Sequence, residues 1–429
     1  MTSEEHVMID TEQEFRSLKK SVYKAAKSDH IRTALRRAVA SFRKNRDAAL
    51  ARFPDVLEKR KILREKKEEA ISRLDELIPQ AMEAMELNHV KPYLADTVED
   101  ALAIIDDIIG TGKTVVKAKS ITSEELDLNA HLEEKGNTVY ETDLGEFIVQ
   151  LLGQRPMHIL APAVNVPREK VQELFSKVGG EELPTDPAKL TMFARRFLRQ
   201  KYMDADVGFS GANALVAETG SLYLIENEGN IRFATNAPPV YVALVGVEKI
   251  LPTNQDATLL LDVVQRYAGY YMTSFVSIIS GPSKTGDIEK VTVYGAHGPK
   301  EMHVILLDAG RRALAKDPEL REALYCVRCG ACMYECPVYP ITTGHWGYRY
   351  MGGIGIPWTA FISGGLKKAG PMAYGCVLCG RCKEFCPVEI DGPPLVQRVR
   401  EAAAAGQVMP AFVKTMTDTV LEKGNPYKQ

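Results

Sequence analysis

Cysteine is missing from the first 325 of the 429 residues. Over that stretch the chain offers neither a thiol nucleophile nor a disulfide framework. A surplus of charge of one sign is missing too: 54 Lys and Arg stand against 56 Asp and Glu, for a net charge of −2. Proteins that grip nucleic acid need spare cations for phosphates, so nucleic acid is excluded as a partner. No run reaches the ~18–20 uncharged apolar residues of a spanning helix, and the opening MTSEEHVMID lacks the basic and apolar regions of a signal peptide. The expectation is a cytoplasmic protein, peripheral to the inner face of the membrane at most and only through partners.

Nucleotide motifs are lacking as well. GTGKT at 110–114 resembles the end of a phosphate-binding loop, but Asp107 stands where that motif needs glycine, and the segment precedes a strand. No G-x-G-x-x-G follows a strand to open a helix, so a Rossmann nicotinamide or flavin site is unsupported. Neither a His-x-x-x-His pair nor a Ser/His/Asp arrangement is present.

At about 150 residues per domain, the length allows two or three domains. Residues 1–90 read as an N-terminal helical region. In SLKKSVYKAA and ALRRAVASFRKNRDAALARF apolar residues recur three and four apart, with Lys and Arg between them. A solvated basic face is expected there. Residues 91–308 read as an α/β domain with a parallel sheet, because short β-branched runs alternate with helical patterns. VEDALAIIDDIIG is a helix closed by Gly110, TVVKAKS a strand, and Thr122 with Glu125 a capping box for a helix reaching Gly136. NTVYE is a strand, Asp143 with Glu146 opens a helix, HILAP (158–162) is a third strand, and PREKVQELFSKV is a helix. Beyond 206 the texture is strand-rich, from VGFSGANALVAE and GSLYLIE through NIRFAT, YVALVGV, SFVSIIS and VTVYGAH to MHVILLD. Residues 309–407 form a third, mostly helical domain that begins with GRRALAKDPELREALY and ends with PPLVQRVREAAAAG. A C-terminal tail occupies 408–429. The fold class is therefore α/β plus α.

All eight cysteines fall in that third domain. Cys326, Cys329, Cys332 and Cys336 form C-x2-C-x2-C-x3-C followed by Pro337, and Cys376, Cys379, Cys382 and Cys386 repeat the spacing before Pro387. This is the two-cluster ferredoxin pattern, and it implies two [4Fe–4S] clusters. Three thiolates separated by two residues each can wrap three corners of one cubane, and the fourth ligand comes from the other run. One cluster then takes Cys326, Cys329, Cys332 and Cys386, and the other takes Cys376, Cys379, Cys382 and Cys336. Disulfides fit poorly in a reducing compartment, and zinc more usually takes paired C-x2-C units. The proline after each run stiffens the loop exit and offers no competing N–H. Residues 337–375 lie between the runs and hold GHWGYRYMGGIGIPW. His345, Tyr348, Arg349 and Tyr350 there could shield a cluster or dock a redox partner, or simply belong to an ordered loop.

The α/β domain offers a weaker signal. Lys117 and Lys119 lie one strand period apart near a strand's carboxyl end, where open sheets bind ligands. Glu218 precedes a glycine turn, and Asn230 and Arg232 follow in EGNIR. A ligand pocket built from Lys119, Glu218, Asn230 and Arg232 competes with satisfied turn and sheet-edge polar groups.

Several segments together carry a resemblance: VKAKSITSEELDLNAHLEEKG, ETDLGEFIVQLLGQRPMHILAPA, AETGSLYLIENEGNIR, HGPKEMHVILLD and CVRCGACMYECPVYPITTGHWGYRYMGGIG. They resemble the lactate utilization protein B family, iron–sulfur subunits of bacterial lactate oxidation, over residues 30 to 400. The resemblance implies a lactate-utilisation (LUD) α/β domain, similar to the fold of ribose-phosphate isomerases and coenzyme A transferases, followed by a helical two-cluster ferredoxin domain. It also implies two partners, a cysteine-rich subunit resembling those of heterodisulfide reductase and a second LUD protein, in a system that turns L-lactate into pyruvate. Glu218 resembles in position the glutamate that coenzyme A transferases use covalently, but nothing else marks a transferase. The family commonly extends farther at the C-terminus than the 43 residues that follow Cys386 here.

The expected function is a non-catalytic electron-transfer subunit of a complex that oxidises lactate or a related 2-hydroxyacid. The substrate site then lies on a partner, with a flavoprotein dehydrogenase as one option. Two other readings compete. In one, the α/β domain itself binds a carboxylate or an acyl-CoA-type substrate; in the other, the clusters are structural parts of an assembly scaffold.

Overall fold

The computed structural model describes residues 3–427, with side chains from Thr11 onward. Six strands form a wholly parallel sheet in the spatial order Lys91–Ala95, Glu301–Leu307, Val240–Gly246, Val207–Ser210, Thr114–Lys117 and Thr138–Glu141. Its central strands Val240–Gly246 and Val207–Ser210 are buried on both faces, as a sheet covered on both sides requires. Val242 and Leu244 join one buried cluster with Ile105, Ile109 and Leu132 from the helices of that face. Tyr241, Ala243 and Val245 point the other way, into a cluster shared with Leu260 and Val263.

From Thr114–Lys117 the chain steps outward to Thr138–Glu141, then returns to place Val207–Ser210 on the opposite side. The strand order reverses at that point, which opens a crevice at the carboxyl ends of these two neighbours. A second, four-stranded sheet (Ile250–Leu251, Ala214–Val216, Leu222–Glu226, Phe275–Ile279) packs over the first.

Several local expectations change. The helix after Ser120 begins at Ile121, so Thr122 is not its cap. Ser120 Oγ accepts from the Ser123 N–H, so Ser120 is the cap and Thr122 is buried inside the first turn. The expected single helix to Gly136 breaks at Asp127, which adopts φ 48°, into Ile121–Glu125 and Leu128–Glu134. HILAP is not a strand. His158 Nδ1 accepts from the N–H groups of Leu160 and Ala161, a local turn that competes with a ladder, with Pro156 just before the segment and Pro162 ending it. NIRFAT is the helix Asn230–Asn236, packed so closely on Val207–Ser210 that a Cβ at Gly208 would lie 1.7 Å from Ala234 O. The helix expected from Gly310 to Tyr325 shortens to Arg311–Ala315 and a 3-10 turn at Arg321–Tyr325, divided by Pro318.

Long helices at Asp29–Arg52, Val56–Ser72 and Leu74–Leu87 confirm the helical N-terminal region, but its basic face is not simply solvated. Arg46 and Lys67 are buried. Leu35 and Val39 pack into the cysteine-bearing part, while Leu63, Ile71 and Leu77 pack against the smaller sheet. The tail carries a helix, Ala411–Lys423, and the end of its GNPYKQ turn, Lys428 and Gln429, lies outside the described residues. Among the described residues no helix is long and apolar enough to cross a membrane.

Candidate iron–sulfur centre and adjoining cavity

Each cysteine run folds into the same loop. Cys326 caps the turn Arg321–Tyr325, Arg328 and Gly330 take φ of 61° and 77°, and the short helix Ala331–Glu335 leads to Cys336. In the second run Cys376 caps Gly365–Gly375, Leu378 and Gly380 take 51° and 76°, and Arg381–Glu384 leads to Cys386. The left-handed residue and the glycine turn each loop back on itself, so that its first three cysteines line one cavity.

Two neighbouring cavities receive these thiols. The first is lined by Cys326, Cys329, Cys332 and Cys386, with Cys382, Met351, Ile354 and Ile390 completing its wall. The second is lined by Cys336, Cys376, Cys379 and Cys382, together with Trp346 and Val396. Among the described residues no group of three or more His, Cys, Asp or Glu side chains is placed to hold a single metal ion. The cysteines line two open volumes, the arrangement a cubane needs. Glycines keep the space open: a Cβ at Gly392 would meet Cys382 Sγ at 2.5 Å, and one at Gly353 would stand 3.9 Å from it. Main-chain N–H groups of Val338 and Tyr339 donate to Cys336, and those of Val388 and Ile390 donate to Cys386. Burial pushes the Cys386 thiol up to about 12 and the Cys382 thiol up to about 11, and ligation to a cation would draw those protons off. The donor set, the open volume and the N–H groups together fit iron–sulfur clusters.

The segment between the runs is mostly helical and closes over the cavities. Trp346 and Tyr350 are buried, and the Tyr350 ring meets Trp358 at a 37° tilt with ring centroids 4.6 Å apart. Arg349 pairs with Asp127, Arg155 donates to Tyr348 O, and His345 lies partly exposed nearby. From the N-terminal helices, Arg43 and Arg46 meet the buried Glu335 at 3.1 and 3.0 Å, and Arg64 donates to Glu322 and Val388 O.

A buried ionic chain ties the cysteine loop to the α/β part. Arg311 holds Glu248 at 2.6 Å and Glu125 on its other side; Tyr350 donates to Glu125, and Arg328 reaches Glu248 at 3.4 Å. The surrounding arginines hold Glu248 down at about 2 despite its burial. Arg328 also stacks over Trp358 at 3.8 Å and donates to Cys326.

The four α/β residues singled out from sequence are not brought together. Lys119 and Asn230 line one large cavity beside the first cysteine loop. Glu218 is exposed at the start of the helix Asn254–Tyr267, accepting from Asn254 N–H and Nδ2 at 2.8 and 3.0 Å. Arg232 lies over the Phe275 ring and 3.4 Å from Glu226. Lys117, the last residue of its strand, is buried against Glu141 at 2.6 Å. Arg46, Lys67 and Lys249 escaped sequence reading. For the first two a signal existed, since Leu35, Val39 and Arg46 share one apolar helix stripe, and Leu63, Lys67 and Ile71 another.

Comparison with known proteins accords with this geometry. A LUD domain family matches residues 78–307, and a 4Fe-4S dicluster domain family matches 322–390. The chain is 35% identical over 390 residues to lactate utilization protein B of Shouchella clausii, covering 90% of this chain and 80% of that one. It is 35% identical over 342 residues to the uncharacterized electron transport protein YkgF of Escherichia coli, covering 79% and 70%. A crystal structure of a DUF162 family protein from Deinococcus radiodurans aligns with a TM-score of 0.31 at 14% identity, over 55% of this chain and 98% of that one. With a LUD domain joined to a 4Fe-4S dicluster domain, the chain belongs to the lactate utilization protein B family.

Proposed function

We propose that this iron–sulfur protein is the single-electron relay of a multi-protein complex that oxidises L-lactate, or a related 2-hydroxyacid, to pyruvate. Two [4Fe–4S] clusters supply one-electron transfer. Cys326, Cys329, Cys332 and Cys386 hold one cluster, and Cys376, Cys379, Cys382 and Cys336 hold the other. The observation that carries this reading is the grouping of the eight thiols around two adjoining cavities, in sets that exchange the fourth cysteine of each run. Cys382 lines both cavities, so the two sets adjoin, and one-electron exchange needs such proximity.

The two sets differ in surroundings. Cys329 is buried beside the α/β domain, whereas Cys379 is exposed next to the exposed Val377. Arg381 and Lys383 flank that edge, paired with Glu335 at 2.7 Å and Asp391 at 2.6 Å. A cysteine-rich heterodisulfide-reductase-like subunit is the partner we assign to it, with a second LUD protein completing the complex. We place the complex in the cytoplasm, where thiolate ligands stay reduced. The test is Cys379→Ser in the assembled complex. We expect it to remove or convert one cluster signal in electron paramagnetic resonance and to abolish lactate-dependent electron flow. Undiminished flow would overturn the relay.

A further inference from the structure

A cavity of about 320 Å³ lies where the α/β domain meets the first cysteine loop. Its floor is built by Ala118–Ile121 and Ser210–Asn213, the continuations of the two neighbouring strands between which strand order reverses. Open parallel sheets bind ligands in that crevice, because neighbouring loops diverge there and leave space. Cys326, Val327, Arg328 and Cys329 close the opposite side, so whatever occupies the cavity lies against the loop that carries the first thiol set.

The lining has a definite electrical character. Lys67 and Lys249 enter from two different segments, and their ammonium groups bond to main-chain carbonyls, Glu248 O and Ala212 O, not to carboxylates. Glu248 is itself engaged by Arg311 and Arg328. Lys119 adds a third ammonium, 4.0 Å from Glu146. Asp143, Glu226 and Glu228 also line the cavity and disfavour a ligand with a second negative charge. The N-terminus of the helix Ile121–Glu125 is capped by Ser120 Oγ, and the Arg328 guanidinium is engaged by Glu248 and Trp358, so the lysine side chains are the anion holders. Lysines that served only to offset the charge of a cluster would need no open volume beside them, and here the volume is large.

We propose that this cavity is a binding site for a short organic monocarboxylate, a 2-hydroxy or 2-oxo acid, held by Lys67 and Lys249 with Lys119 adding positive potential. The site deepens the relay reading by placing a ligand of the oxidation beside the first thiol set on this chain, and it rests on that reading only for what the loop carries. Ser120 and Asn230 supply hydrogen-bonding groups for the 2-substituent.

The test is isothermal titration calorimetry of the purified, iron–sulfur-loaded chain with pyruvate, and with succinate and inorganic phosphate as controls. We expect one saturable pyruvate site and no saturable heat from succinate. Lys249→Gln should raise Kd at least tenfold and Lys119→Gln at least threefold, with iron content and circular dichroism unchanged. Lys119 is partly exposed and its one ion pair, to Glu146, is long at 4.0 Å, so its variant decides the matter if Lys249→Gln does not fold. Absence of saturable heat, unchanged affinity in the folded variants, or preference for phosphate would overturn the site. Binding heat requires no electron flow, so a failed relay and a failed site give separate results.

Discussion

Cys329 and Cys379 occupy the same position in their two loops, yet Cys329 is buried and Cys379 is exposed. The difference comes from what covers each loop. The first packs into the core that joins the smaller sheet, the N-terminal helices and Trp358, whereas the second faces outward beside Val377. Oxidants should therefore remove iron in two phases. We expect the fast phase to belong to the set containing Cys379 and to vanish in Cys379→Ser, with the slow phase retained. Iron loss from the wild-type chain in a single phase would contradict this protection. The measurement is iron release against time in dilute ferricyanide.

Gly392 opens the helix Gly392–Ala405 directly against Cys382, and a Cβ there would sit 2.5 Å from Sγ. The contact is with a thiol that lines both cavities, so the thiol cannot yield without leaving its place. Gly392→Ala should cut bound iron and acid-labile sulfide by about half through loss of one cluster of the two assigned here. Full iron content with unaltered spectra would show that Cys382 does not ligate from this position.

Arg311 is fully buried between Glu125 and Glu248. Removing its guanidinium leaves two buried carboxylates short of their main counter-charge, and breaking such a pair costs about 3–5 kcal/mol. Arg311→Met should lower the unfolding midpoint accordingly, and Arg311→Lys should recover only part, because an ammonium cannot bridge both carboxylates as the planar fork does. Denaturant titration followed by circular dichroism reads this directly, and an unchanged midpoint for Arg311→Met would refute it.

Much of this architecture was legible because the signals were local. The cysteine spacing pointed to both loops, and strands such as Val240–Gly246 announced themselves as apolar runs buried on both faces. The misread elements were decided by tertiary contact. NIRFAT has a strand's composition, but the close approach of Ala234 to Gly208 holds it as a helix. HILAP yields to a turn made by His158 Nδ1. Glu218 and Arg232 lay near the right residues in sequence, but the turns around them carry both away from the cavity. Lys249 follows Glu248 in an ordinary-looking VEK turn, and only the folded chain shows it at the cavity wall.

The same lysine fixes how ligand binding should respond to pH. Burial pushes the Lys67 and Lys249 ammonium groups down to about 8 from 10.5. Below pH 8 both are charged and can hold a carboxylate; as pH rises through 8 they lose their protons and their grip. Pyruvate affinity should fall about tenfold between pH 7 and pH 9, and binding at the higher pH should take up protons, since a bound anion restores the charged form. Stability moves in the opposite direction. Between pH 8 and 10.5 the unfolded chain keeps these two protons while the folded chain has released them, so their contribution to stability rises with pH. Weaker binding at pH 9 therefore cannot be ascribed to these lysines unfolding the protein. Calorimetry at both pH values, in two buffers of different ionisation enthalpy, measures affinity and proton uptake together. Equal affinity at pH 7 and pH 9, with no proton uptake, would remove Lys67 and Lys249 from the ligand's first contacts.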